Sequence, residues 1–240
     1  MDQKIRKLLA GEGGNYIFPF FWQHGETEEV LREYMKVIAE SSIGAVCVES
    51  RPHPDFVGEK WWQDMDVILD EARKRNMKVW ILDDSHFPTG YANGALKNAD
   101  GKLRRQSLTV RSLDCPKSGT DMEVSLDNYQ KVAPWESNQM EQHMLQGQEW
   151  KLFDDNQLIG VTAVREGGKT EADILDLSGQ IPSGKIVFPV PEGKWQLKFC
   201  ILTRNRGPHR DYINMMDEES CRVLIDTVYE PHYQHYAADF

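Results

Sequence analysis

The sequence predicts an α/β fold: a partial (β/α)8 barrel, its first three βα units, with an antiparallel β-sandwich inserted after the third strand. Three observations predict it. Three apolar runs, Tyr16–Gly25, Gly44–Phe56 and Val79–Gly94, each end in polar and turn residues, as parallel strands do where α/β folds bind ligands. Two amphipathic helical segments lie between them. From about Leu103 to Arg206 the pattern changes to short period-two runs, and helical spacing returns near Asp217.

The elements follow in order. Residues 2–10 read as a short opening helix ending at Gly11. The first strand, YIFPFFWQHG, closes in Gln23, His24 and Gly25. Thr27 is a candidate N-cap, with Glu28 and Glu29 favourable to the helix dipole. Val30, Leu31, Tyr34, Met35, Val37 and Ile38 then form an apolar helical stripe. Ala45–Val48 is the second strand, with Glu49, Arg51, His53 and Asp55 after it. A helix over about Lys60 to Asn76 carries Trp61, Met65, Ile68, Leu69 and Ala72 on one face. Val79–Leu82 is a continuous apolar run and reads as a strand buried on both faces. It ends in Asp83, Asp84 and His86, followed by Pro88, Gly90, Tyr91 and an Asn93-Gly94 turn.

In the β-rich stretch, Trp195, Leu197, Phe199 and Ile201 alternate with Gln196, Lys198, Cys200 and Leu202, and Leu108 and Val110 share a face. Leu158–Val164 and Lys185–Val190 are further strands, while residues 115–150 are polar and unassigned. Asp217 caps a last helix with Val223, Leu224 and Val228 on its apolar face, which Pro231 is expected to kink or interrupt. That helix reads as the delayed third helix of the α/β unit. The expected domains are therefore 1–98, the insertion 99–212, and 213–240 returning to the barrel. Three units do not close a barrel of eight, so the chain reads as the N-terminal part of a larger enzyme.

Composition narrows the function classes. The 240 residues are 40% apolar and 28% charged, enough for a sizeable core. A net charge of −10 argues against a nucleic-acid partner. With no run of about 18 apolar residues, no membrane span is expected. The N-terminus has too short an apolar stretch for a signal peptide, so a cytoplasmic protein is expected, or a secreted one if a signal has been removed. Cys47, Cys115, Cys200 and Cys221 form no CxxC pair, and Cys47 reads as a buried thiol. Arg104-Arg105 reads as a solvated face, and Phe20, Phe21, Trp22, Trp61 and Trp62 as mostly core.

The segments FPFFWQHG (18–25), ESRPHPDF (49–56), WWQDMD (61–66), LDDSHFPTGYANG (82–94), DLSGQIPSGKIVFPVPEGKWQL (176–197) and INMMDEESCRVLIDTVYEPHYQHY (213–236) carry a resemblance across nearly the whole chain. It resembles the large bacterial glycoside hydrolases related to α-L-rhamnosidases. The resemblance implies a TIM barrel with a β-sandwich after the third strand, and a catalytic carboxylate at the end of a fourth strand. This sequence stops before that motif, so the resemblance implies a region inactive by itself, which supplies sugar-binding residues. It requires no cofactor and leaves room for calcium in a complete enzyme.

Glycoside hydrolysis usually needs two carboxyl groups, about 5–5.5 Å apart for retention and about 6.5–9.5 Å for inversion. At the strand ends the weak catalytic candidates are Glu49, Asp83 and Asp84; the catalytic set is otherwise unassigned. Expected substrate-binding residues are His24, Glu49, Arg51, His53, Asp83, Asp84, His86, Tyr91 and Trp22, with either Trp22 or Tyr91 as the aromatic that stacks on a sugar ring. Three histidines near carboxylates could ligate a metal, but no HxH or HExxH spacing supports one, and no metal site is expected. The rivals are a non-catalytic carbohydrate-binding or interaction module and a metal-dependent barrel hydrolase. An unpaired barrel edge would also favour self-association.

Overall fold

The computed structural model describes residues 2–10, 12, 15, 17–85, 87–130, 153–206 and 209–239. They divide into two compact units: residues 1–99 with 212–240, and residues 100–211.

The first unit is built on a parallel sheet. Helix α1 (Gln3–Leu9) is capped by the Asp2 carboxylate, which accepts from the Lys4 amide at 3.0 Å. Strand β1 (Phe20–Gln23), helix α2 (Glu28–Glu40), strand β2 (Ala45–Ser50), helix α3 (Glu59–Lys74) and strand β3 (Lys78–Ile81) follow. The strands pair in parallel in the order β1-β2-β3. Thr27 occupies the N-cap of α2 but makes no side-chain capping bond; Glu28 and Glu29 sit in the first turn. Leu31 and Met35 of α2, and Trp61, Met65, Ile68 and Ala72 of α3, are buried. The two helices are tied by Arg32, which reaches Asp70 and Glu71 at 2.6 Å each.

The sheet corrects one expectation. β3 is not buried on both faces: Trp80 is 57% exposed, and Val79 and Ile81 are half-buried. A strand is doubly covered only when other elements pack on both of its faces. Here register puts Phe20, Cys47 and Trp80 in one row and Trp22 beside Glu49, on the face that the buried core residues turn away from. Phe20 and Trp22 are accordingly exposed, while Phe21 and Trp61 are core, and Trp62 and the Cys47 thiol are half-buried.

The C-terminal helix runs through three segments: α-helical Glu218–Leu224, a π turn at Ile225–Tyr229, and α-helical Glu230–Tyr236. Asp217 caps it by accepting from the Ser220 amide at 2.8 Å. Pro231 does not end the helix. The wide turn just before it, where the Glu230 amide reaches the Ile225 carbonyl, takes up the missing donor and the ring. The helix lies against α3: Trp61 Nε1 donates to His232 Nε2 at 2.9 Å, and Tyr236 reaches the Trp62 carbonyl and Asp66.

The second unit holds β4 (Ser107–Asp114), β5 (Asp121–Ser125), one helical turn at Asp127–Gln130, β6 (Gln157–Arg165), β7 (Ile174–Asp176), β8 (Lys185–Pro189) and β9 (Trp195–Thr203). A four-stranded antiparallel sheet has the order β4-β9-β6-β7, and β5 pairs with β8. Its core gathers Val161, Ala163, Ile186, Phe188, Leu197, Phe199 and Ile201. The alternation along β9 is as the spacing predicts. Leu108 and Val110 do share a face, but it is the solvent face: they lie beside Leu202 and Cys200, opposite the Leu197–Phe199–Ile201 row. Arg104 is no solvated residue either. It is 1% exposed, ion-paired with Asp211, with its guanidinium 5.0 Å from the Phe153 ring centre, and burial pushes its pKa down.

Candidate functional site

The site begins with a register. Because β1 and β2 are parallel neighbours with Trp22 opposite Glu49, the two side chains leave the sheet on the same face near the strands' carboxyl ends. Trp22 Nε1 donates to Glu49 Oε2 at 2.9 Å, and Arg51 Nη1 donates to Glu49 Oε1 at 2.7 Å. The Arg51 guanidinium also stands 5.3 Å from the Trp22 ring centre. The loop holding Arg51 is fixed by its own amide, which bonds the Gln23 carbonyl at 2.9 Å. The result is a closed triangle. Glu49 is 4% exposed at its centre, while half of Trp22 and part of Arg51 remain open to solvent. One pair back along the strands sits the Cys47 thiol, pushed up by burial and then by Glu49.

The aspartates part company because successive residues of an extended chain point to opposite sides. Asp84 is 1% exposed and accepts four backbone N–H groups: Ser85 and Asn93 on Oδ1 at 2.7 and 3.0 Å, Gly90 and Ala92 on Oδ2 at 3.1 and 2.7 Å. It is the hub of the loop after β3, whose residues Ala92, Asn93 and Gly94 all take positive φ (50°, 49° and 80°). With both oxygens so occupied, Asp84 organises the loop and leaves no free edge for a ligand. Asp83 turns the other way. Thr89 Oγ1 donates to its Oδ1 at 2.7 Å and the Tyr229 hydroxyl to its Oδ2. Burial, then this bond to Asp83, pushes the Tyr229 phenol up, which keeps it a donor.

The remaining expected residues scatter. His53 is buried; its Nδ1 accepts from the Asp55 amide at 3.1 Å, so its Nε2–H faces Asp64 at 3.0 Å. Asp64 also pairs with Lys60. His53 thus ties the loop after β2 to α3 and is closed to ligand. His24 is half-exposed and meets Glu26 at 3.0 Å, away from the triangle's hydrogen bonds. Burial raises the Glu26 pKa, but hydrogen bonds from the backbone and His24 outweigh it and leave the group low. Tyr91 lies beside Tyr212, ring centres 5.7 Å apart, with the Lys97 ammonium 5.6 Å from its ring. His86 lies outside the described residues, as do Tyr16 and residues 131–150. The structure therefore joins Trp22, Glu49 and Arg51 directly, gathers Asp83 with Thr89 and Tyr229, and sets His53 and Asp84 to structural work.

Tyr229 and Thr89 escaped the sequence reading. Tyr229 lies 146 positions from Asp83, and no local pattern signals such a partner. Among the described residues, no group of three or more His, Cys, Asp or Glu is gathered as a metal site. No helix among them is long and apolar enough to cross a membrane. No protein-family model matches the chain, and no curated protein matches it.

Proposed function

We propose that the first unit is the sugar-binding wall of a glycoside hydrolase, part of a (β/α)8 TIM barrel that cleaves glycosidic bonds by carboxylate general acid/base chemistry. The observation that carries this reading is the Trp22–Glu49–Arg51 triangle at the carboxyl ends of parallel strands. A half-exposed indole offers an apolar platform to the C–H face of a pyranose. Glu49, 4% exposed and fixed by two donors, holds the indole and the guanidinium in register, and Arg51 has further N–H groups to give. The fit is to a polyhydroxylated ring of neutral or acidic character.

In this reading Glu49 holds the indole and the guanidinium in place, and Asp84 is excluded from proton transfer because four amides saturate it. The three parallel strands, with α3 beside the helix that returns after the second unit, match three successive βα units.

Calorimetric titration with a panel of neutral and acidic plant and bacterial oligosaccharides tests the proposal. Saturable binding to the wild type is expected, weakened at least ten-fold in Trp22→Ala, with Phe20→Ala much nearer to wild type. If no sugar binds, or if Trp22→Ala binds unchanged, the triangle is not a sugar site.

A further inference from the structure

One edge of the Arg51 guanidinium is used by none of the described residues. A guanidinium meets carboxylates along two edges: end-on through its two Nη atoms, or side-on through Nε and Nη2. Glu49 bonds Arg51 through Nη1, at 2.7 Å. Its second oxygen does not reach the side-on edge, because the Trp22 indole holds it at 2.9 Å. Among the described residues no acceptor meets Nε or Nη2 of Arg51, and the side chain is 39% exposed.

Other arginines of the same unit show what such an edge takes. Arg32 presents Nε and Nη2 to Glu28 at 2.9 and 2.8 Å. Arg73 presents the same two nitrogens to Asp239 at 3.2 and 2.7 Å. Arg51 is fixed without a partner there. Its amide is bonded to the Gln23 carbonyl at 2.9 Å, and its guanidinium stands 5.3 Å from the Trp22 ring centre. A fork held in this way loses little side-chain freedom on binding. Nor is it on a sheet margin: β2 has β1 on one side and β3 on the other.

We propose that the side-on edge of Arg51 binds the carboxylate of an acidic sugar, so that the triangle takes a hexuronate residue in preference to a neutral hexose. The inference rests on the sugar reading of the site and narrows it to this substrate class. The carboxylate receives parallel N–H bonds from Nε and Nη2, while the C–H face of the same pyranose lies on the half-exposed indole. A neutral hexose offers one uncharged hydroxymethyl oxygen where the fork accommodates two charged ones. A bare sulfate or phosphate would use the fork and leave the indole unmet. The net charge of −10 opposes an anion at a distance. That field is screened beyond about 8 Å at physiological ionic strength, whereas the fork acts at contact.

The test titrates the 240-residue protein calorimetrically, at physiological salt, with the methyl glycosides of glucose, glucuronate and glucuronamide and of their galacto counterparts, in both anomers. A uronate is expected to bind at least ten-fold more tightly than its hexose and its uronamide. Arg51→Lys keeps a cation beside Glu49 but loses the planar fork, and it should erase that margin. The three ligand types on the wild type decide the matter even where this variant fails to fold. Equal affinity for hexose and uronate overturns the inference and leaves the sugar reading standing, whereas no binding of any of them overturns both. A margin that survives in Arg51→Lys places the carboxylate elsewhere and overturns the inference. So does full displacement of the uronate by an equal concentration of acetate, which would make the edge a bare anion site.

Discussion

Glu49 is held by two donors on different elements, and each oxygen has one lone-pair direction left. Glu49→Gln places an NH2 group against either the Trp22 indole or Arg51, so one donor meets another donor. Sugar binding is expected to fall at least ten-fold, about 1.4 kcal/mol, measured by the same titration. Wild-type affinity in that variant would remove Glu49 from the site. Asp84 has a different fate. Asp84→Asn halves the acceptor capacity facing four amides, and at least one buried N–H loses its partner. A loss of about 2–4 kcal/mol in urea unfolding is expected, and a change under 0.5 kcal/mol would show that the hub does not hold the loop. At this scale the sequence was least legible. It presents Asp83 and Asp84 as equals, and only the direction each takes after β3 separates a rim carboxylate from a buried one. The same limit hid Arg104, since a charged pair in sequence shows nothing of the Asp211 carboxylate that meets it inside.

The C-terminal helix is the element whose docking depends most on one proton. His232 Nδ1 faces the Val228 carbonyl at 2.6 Å and so carries the hydrogen, leaving Nε2 as acceptor for Trp61. Burial, and then the nearby His235, pushes the His232 pKa below the ordinary histidine range, against the raising effect of the Val228 carbonyl. The unfolded chain, with an ordinary pKa near 6.5, binds this proton more readily than the folded one. The stabilisation is therefore complete above about pH 6.5 and declines as pH falls below it, levelling once the folded form is protonated too. Unfolding of the first unit at pH 7.5 and pH 5.5 should show lower stability at the acid value. His232→Phe should flatten that difference and cost about 1–3 kcal/mol at neutral pH, because the Trp61 indole loses its acceptor. An unchanged pH difference in His232→Phe would locate the effect elsewhere. Periodicity sufficed to place α2, α3 and this helix, because each hides one stripe. It overstated β3, where an apolar run of four residues looks the same at a sheet's margin as at its centre.

At the scale of the molecule, the described residues form two compact units. Phe199, fully buried in the second unit, stacks on Tyr129 with ring centres 3.7 Å apart. Phe199→Ala should destabilise that unit by about 3–5 kcal/mol while amide protection of Trp61 and Ile68 in the first unit persists. Equal loss in both would show one cooperative whole. The change from period 3.6 to period two and back reads directly in the sequence because turn residues mark it, as at Gly167-Gly168 and Pro191-Glu192-Gly193. Which sheet face meets solvent did not, because Leu108 and Val110 are apolar on the outside and Thr109 and Arg111 lie on the inward side.

The bond between Trp61 and His232 spans 171 positions of chain. Ribosomes add about 5–20 residues per second, so the indole is made roughly ten to thirty seconds before its acceptor. Throughout that interval Trp61, Met65 and Leu69 wait without their covering helix while a complete second core is synthesised downstream. Newborn chains are thus open to chaperone capture and misassembly at α3, and a ribosome-arrested chain ending before residue 212 should be more protease-sensitive there than the released protein.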